Sequence, residues 1–232
     1  VRTMTITAGT LDLAAGAYTL EITGTGTPFT NADTFTAGDG TIKYTGTTTA
    51  TNIATVPYTQ LQLPPTAATT YSFLGHLTGA NGLTGNLTID ANATLDATVT
   101  NYNIDVAGNW TNSGSFTQRN GTVVLDGTGQ AINGSTTFYN LTKSVAAADT
   151  LTFQAGQTTT FASGGTATLS GASGQLLSLA SATPGTRWNF TLASGSLKSI
   201  DYVDVTDSDA SGSDAAHKPI NPTNYTDGGN TI

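Results

Sequence analysis

Apolar and polar residues alternate in short segments along the whole chain. Leu87 and Ile89, then Tyr102, Ile104 and Val106, then Val203 and Val205 are each separated by Thr, Asp or Asn. A period of two sends one set of side chains into a core and the other into water, so each segment predicts a short strand. Gly24-Thr25-Gly26, Gly38-Asp39-Gly40, Asn112-Ser113-Gly114, Asn120-Gly121 and Gly164-Gly165 interrupt the alternation every ten residues or so, as turn punctuation does. No stretch carries the helical period. The chain reads as all-β.

The segments also repeat. Met4-Thr5-Ile6-Thr7-Ala8-Gly9-Thr10-Leu11-Asp12 matches Leu87-Thr88-Ile89-Asp90-Ala91-Asn92-Ala93-Thr94-Leu95-Asp96 with a one-residue slip. Tyr18, Leu20 and Ile22 then align with Tyr102, Ile104 and Val106, and Phe35, Gly40 and Gly46 with Phe116, Gly121 and Gly127. A weaker copy starts at Leu151-Thr152-Phe153. The reading is one elongated domain, 1-232, built from imperfect repeats at about 1-83, 84-145 and 146-232. Pro64-Pro65-Thr66-Ala67-Ala68 is expected to be a hinge or excursion loop between copies, because proline cannot donate within a central ladder.

Short strands with Gly/Asn turns suit either a parallel solenoid or a β-sandwich of pilin-like type. Imperfect repeats with unequal inserted loops favour the solenoid, since each coil buries its apolar edge on the next and tolerates insertions at its corners. Rungs of about 20 to 25 residues give about ten coils, and a spacing of about 4.8 Å makes a rod of about 50 Å.

Composition narrows the partners. Only 9% of the 232 residues are charged and the formal net charge is −8, with 7 basic against 15 acidic side chains. No basic footprint for nucleic acid exists. A chain so rich in Thr, Val and Ile suits ordered strands rather than disorder. Without Cys there is neither a disulfide framework nor a thiolate site. No apolar run is long enough to span a bilayer as a helix. Polarity supplied by Thr, Ser and Asn instead of Lys and Glu points to an exported, extracellular or cell-surface protein, and a start at Val1 suggests a processed product or an excised piece.

Several segments resemble the repeats of very large microbial surface proteins. They are Gly108-Asn109-Trp110-Thr111-Asn112-Ser113-Gly114-Ser115-Phe116-Thr117, Gly121-Thr122-Val123-Val124-Leu125-Asp126-Gly127 and Thr137-Phe138-Tyr139-Asn140-Leu141. The run Ile200-Asp201-Tyr202-Val203-Asp204-Val205-Thr206-Asp207-Ser208-Asp209-Ala210 resembles their right-handed parallel β-helix rungs. The resemblance implies an extracellular β-helix with a structural, fibre-forming or adhesive role and implies no chemistry.

Asp207, Asp209, Ser211 and Asp214 form the most specific polar constellation, because hard oxygens at alternate positions followed by Gly212 match the start of a calcium loop. Lys218 stands where an EF-hand needs its bidentate Glu, so the competing reading is a solvated turn. Calcium is the one cofactor to consider. Asn-x-Ser/Thr glycosylation acceptors occur at Asn86, Asn92, Asn109, Asn120, Asn133, Asn140, Asn189 and Asn224. Trp110, Trp188 and the tyrosines would stack on sugars if exposed, although aromatic residues in alternating strands usually belong to the core. His76 and His217 lack a nucleophile elbow, and Asp201 and Asp204, three apart, should point to opposite faces of a flat strand. Catalysis is not expected.

A solenoid must hide its terminal edges. Strand-like alternation begins at once with Val1, Thr3, Met4 and Ile6, and the chain closes on Thr231 and Ile232, so these residues are the candidate assembly surfaces. The expectation is a non-catalytic subunit of an extracellular filament, sheath or surface fibre that joins identical copies end to end. The alternatives are a carbohydrate- or receptor-binding adhesin segment and a polysaccharide-degrading β-helix enzyme.

Overall fold

The computed structural model describes residues 1–13, 16–47 and 50–228. It is nearly all β, with 3% helix, and its parallel strands stack as a β-solenoid of about 10 turns. A sandwich pairs its strands antiparallel, so that alternative fails. The chain divides into two compact units, Val1–Gly121 and Thr122–Ile232.

In the first unit, strands Thr19–Ile22, Thr41–Tyr44, Gln60–Leu63, Leu87–Ile89 and Trp110–Asn112 pair in sequence, all parallel. Their register sets Leu20 beside Ile42, Ile42 beside Leu61, Leu61 beside Leu87 and Leu87 beside Trp110. From Ile42 onward this file is fully buried. Each such side chain taken from water stabilises the fold by about 1.5–3 kcal/mol, and the neighbouring coil is what removes the water. A second face stacks Ala50–Ile53, Thr69–Phe73, Ala93–Asp96 and Ser115–Thr117, with Thr51, Tyr71, Leu95 and Phe116 in one file. Equivalent repeat positions take equivalent structure: Met4–Ile6 and Leu87–Ile89 are strands, as are Thr10–Asp12 and Ala93–Asp96. Pro64 to Ala68 is not a hinge between units. It forms a corner inside the first unit, joining Gln60–Leu63 to Thr69–Phe73, with Pro65 buried.

Corners carry their own ladder. The Asn109 amide donates to the Asn86 carboxamide oxygen at 2.7 Å, and the Asn86 amide donates to Gln60 Oε1 at 3.1 Å. Backbone groups that leave the sheet at each turn are thereby paired to the coil before. Gly108 is required beside this ladder, because a Cβ there would run into the Gly85 carbonyl carbon. Three tyrosines extend polar pairing into the core: Tyr58 donates to the Ala54 carbonyl at 2.8 Å, leaving Tyr44 to donate to Tyr58 across 2.9 Å, while Tyr71 donates to the Tyr44 carbonyl at 2.8 Å. Burial pushes the Tyr44 phenol up to about 12.

In the second unit, Thr122–Leu125, Thr136–Ser144, Thr158–Ser170, Leu197–Thr206 and Thr223–Gly228 pair in parallel, and Gln130–Asn133, Asp149–Phe153 and Leu177–Ser181 lead into Leu197–Thr206. Coil length reaches beyond the expected rungs of about 20 to 25 residues: 18 residues separate Thr122 from Asn140, and 31 separate Thr158 from Asn189. Gly164-Gly165 is not a break between strands. The pair bends the continuous strand Thr158–Ser170, with Gly164 at φ 79 and Gly165 so close to the Tyr139 carbonyl that a Cβ would collide with it. The Phe153 and Trp188 rings stack at 3.8 Å with 5° between planes.

A charge sits inside this unit. Lys143 is 0% exposed, and its Nζ meets Asp149 Oδ2 at 2.7 Å, Gln130 Oε1 at 2.8 Å and the Gly127 carbonyl. Three oxygens replace the water that the ammonium gives up. Burial alone would push the Asp149 carboxyl up, but Lys143 and the Gly129 and Thr150 amides outweigh it and hold the carboxyl below its usual range. Replacing Lys143 with Ala strands a buried carboxylate and is expected to cost about 3–5 kcal/mol in urea unfolding. Because the folded pKa lies below the ordinary value of 3.8, the contribution of Asp149 is complete above that pH and is lost as pH falls through the folded pKa. Urea midpoints measured down through this range should fall in the wild type and respond less in Asp149→Asn.

Candidate functional site

The surface with most to offer lies at strands Leu197–Thr206 and Thr223–Gly228 of the second unit. Thr223–Gly228 pairs along one side only among the described residues, from Asp201 beside Thr223 to Thr206 beside Gly228, and all six of its residues are exposed. Among the described residues no second strand pairs with it, and a strand laddered on one side is the geometry that accepts another strand. Beneath it lies a cavity of about 60 Å³, lined chiefly by Leu179, Trp188, Phe190, Ile200, Val205 and Tyr225. Tyr225 and Asp227 of the exposed strand line this cavity together with residues of the core. Tyr225, 48% exposed, adds apolar area at the rim.

Tyr202 changes the polar pattern of this surface. At φ 50 it breaks the alternation of Leu197–Thr206, so Ile200 and Val203 are buried while Asp201, Tyr202 and Asp204 are not. Asp201 and Asp204 therefore do not point to opposite faces. Asn224 Nδ2 donates to Asp201 Oδ1 at 2.8 Å, and Thr226 Oγ1 donates to Asp204 Oδ1. The spacing rule failed because it assumes a flat strand, and no residue type at 202 announces the bend.

The calcium candidates occupy the adjoining turn, and one oxygen of each aspartate is engaged by backbone. Asp207 Oδ2 accepts the Gly185 amide at 2.9 Å, Asp209 Oδ1 accepts the Ser211 amide at 2.8 Å, and Asp214 Oδ1 accepts the Ala216 amide at 3.0 Å, capping the short 3₁₀ turn Ala215–His217. The hydrogen bonds from Ser211, with the nearby Arg187 and Lys218 charges, hold the Asp209 carboxyl below its usual range. Lys218 Nζ donates to the Ser211 carbonyl, which puts a cation into the turn. Among the described residues no three His, Cys, Asp or Glu side chains gather as a metal centre requires.

The remaining candidates are scattered. Val1 and Thr3 are exposed, Met4 is half-buried and Ile6 is buried, while Thr231 and Ile232 lie outside the described residues. The Val1 ammonium donates to the Glu21 carbonyl at 2.6 Å, which ties the first residue to the strand Thr19–Ile22. Trp110 and Trp188 are 0% and 2% exposed, so neither offers a sugar-stacking face. His76 Nδ1 accepts the Asn103 amide at 3.0 Å. Of the eight acceptor asparagines, Asn92, Asn120 and Asn224 are exposed. Sequence reading missed the Thr223–Gly228 edge, because Asn221-Pro222-Thr223-Asn224 carries turn residues and no buried alternation.

Compared with protein families, curated proteins and solved structures, the chain matches none. Among the described residues no helix is long and apolar enough to cross a membrane.

The Asp207 turn is expected to hold its shape without a cation. A single site filled at about 100 times its Kd would add about 2.7 kcal/mol. Urea midpoints recorded with calcium and with a chelator should therefore coincide, and a gain of that size would place a cation in the turn.

Proposed function

We propose that the protein is a non-catalytic structural module of an extracellular filament, sheath or surface fibre, in which identical copies meet through strand edges. The observation that carries this reading is the exposed strand Thr223–Gly228 above an apolar cavity. Adding a parallel strand there would repeat the pairing that builds every coil, and it would cover Tyr225. Strand edges of the first unit, Met4–Ile6, Thr10–Asp12 and Thr19–Ile22, each have one partner strand among the described residues and are the complementary elements. A contact between two different edges does not close on itself, so it propagates. Few charged side chains stand in the way, because Thr and Asn supply most of the wet face.

The adhesin reading keeps the exposed rings of Tyr18, 56% accessible in the first unit, and Tyr225, 48% accessible in the second. It lost its strongest candidates when both tryptophans went to the core.

Sedimentation of the purified chain over increasing concentration, with electron microscopy of the same samples, tests assembly. Elongating species are expected. Tyr225→Lys places a charge on the free edge, as natural edge strands do to prevent pairing, and should return the protein to monomers with unchanged circular dichroism. Monomers at every concentration, or assembly indifferent to Tyr225→Lys, would sink the proposal.

A further inference from the structure

The eight Asn-x-Ser/Thr acceptors are alike in sequence, but the fold sorts them. Asn86 accepts the Asn109 amide at 2.7 Å. Asn140 donates to Thr122 Oγ1 at 3.2 Å and accepts the Thr166 amide at 3.1 Å. Asn189 donates to the Gly156 carbonyl at 3.4 Å, and Asn224 donates to Asp201 at 2.8 Å. Asn109 and Asn133 are half-buried. A sugar on the carboxamide nitrogen of a ladder position needs space that the adjacent coil occupies. Asn92 and Asn120 are different: both are exposed, and neither side chain hydrogen-bonds to the described residues.

A second observation separates these two. Asp90-Ala91-Asn92-Ala93-Thr94 places a carboxylate two residues before the asparagine, its Oδ2 accepting Gln62 Nε2 at 3.2 Å, whereas Asn120 follows Gln118-Arg119, and no other acceptor has an acid at that position. An acid there is the additional recognition element of the bacterial class of oligosaccharyltransferase, which meets it with a cation. Asn92 stands at the tip of a corner in the left-handed region, φ 69, while the Ala93 amide closes the turn on the Asp90 carbonyl at 3.0 Å and the Thr69 amide holds the Asn92 carbonyl at 3.0 Å. The backbone is fixed and the carboxamide is free.

We propose that Asn92 is an N-glycan acceptor for an acid-requiring oligosaccharyltransferase, and that the other seven acceptors stay unmodified in the folded protein. In the transfer, the Asn92 carboxamide nitrogen bonds to the anomeric carbon of a lipid-pyrophosphate-linked oligosaccharide. The bond from that carbon to the phosphate oxygen breaks, the lipid pyrophosphate leaves with the electron pair, and one amide proton passes to an enzyme base. The inference needs no contact between copies, so it stands apart from the assembly proposal.

The test is export of the full chain from cells carrying such an enzyme with its lipid-linked oligosaccharide, against cells with an inactive enzyme, followed by peptide mapping of the folded product. Glycan is expected on Asn92 alone, lost in Asn92→Gln and kept in Asn120→Gln. Asp90→Ala should lower occupancy by about tenfold, the contribution of one charge-assisted hydrogen bond, and Asp90→Glu should retain it. Glycan on Asn86, Asn140 or Asn189, occupancy indifferent to Asp90→Ala, or an Asn92 peptide without sugar would each overturn the assignment.

Discussion

Parallel pairing in register is the constraint on which the structure depends. When a coil lies on the next with the same side-chain phase, an inward residue meets an inward residue, as in the file Ile42, Leu61, Leu87 and Trp110. A slip of one residue would turn each file out into water, so the apolar content that drives burial also fixes the alignment. The same register lines up polar groups at the corners, where Gln60, Asn86 and Asn109 pair in turn. Burial and backbone pairing are two results of one arrangement.

That arrangement tolerates local irregularity where a residue resets the alternation. Tyr202 in the left-handed region places two outward residues between the inward Ile200 and Val203, the Gly164-Gly165 bend places three between the inward Phe161 and Gly165, and pairing resumes beyond both. Insertions therefore lengthen a coil without moving its neighbours out of register. The polar interior follows a similar economy. Lys143 enters the core because Asp149, Gln130 and the Gly127 carbonyl surround its ammonium, and the tyrosine hydroxyls of the first unit share donors and acceptors among themselves. The supplied oxygens offset the desolvation of the buried charge, and removing one partner costs several kcal/mol.

The features behind the two proposals lie at an edge and at a corner. The strand Thr223–Gly228 has a ladder on one side, and the core below it keeps a small cavity. Asn92 owes its freedom to a corner, because the ladder that occupies other asparagines does not reach the tip of its turn.

The sequence by itself determined the all-β class and the preference for a solenoid, because a period of two and recurring Gly/Asn punctuation are local properties of the chain. It also determined equivalences between coils, such as Met4–Ile6 with Leu87–Ile89, since both copies need the same phase. Tertiary structure decided which polar residues are spent on neighbours. Whether an asparagine joins a ladder and whether a tryptophan is exposed depend on the residue 18 to 31 positions away that lies beside it. Those spacings vary from coil to coil, and no local pattern encodes them.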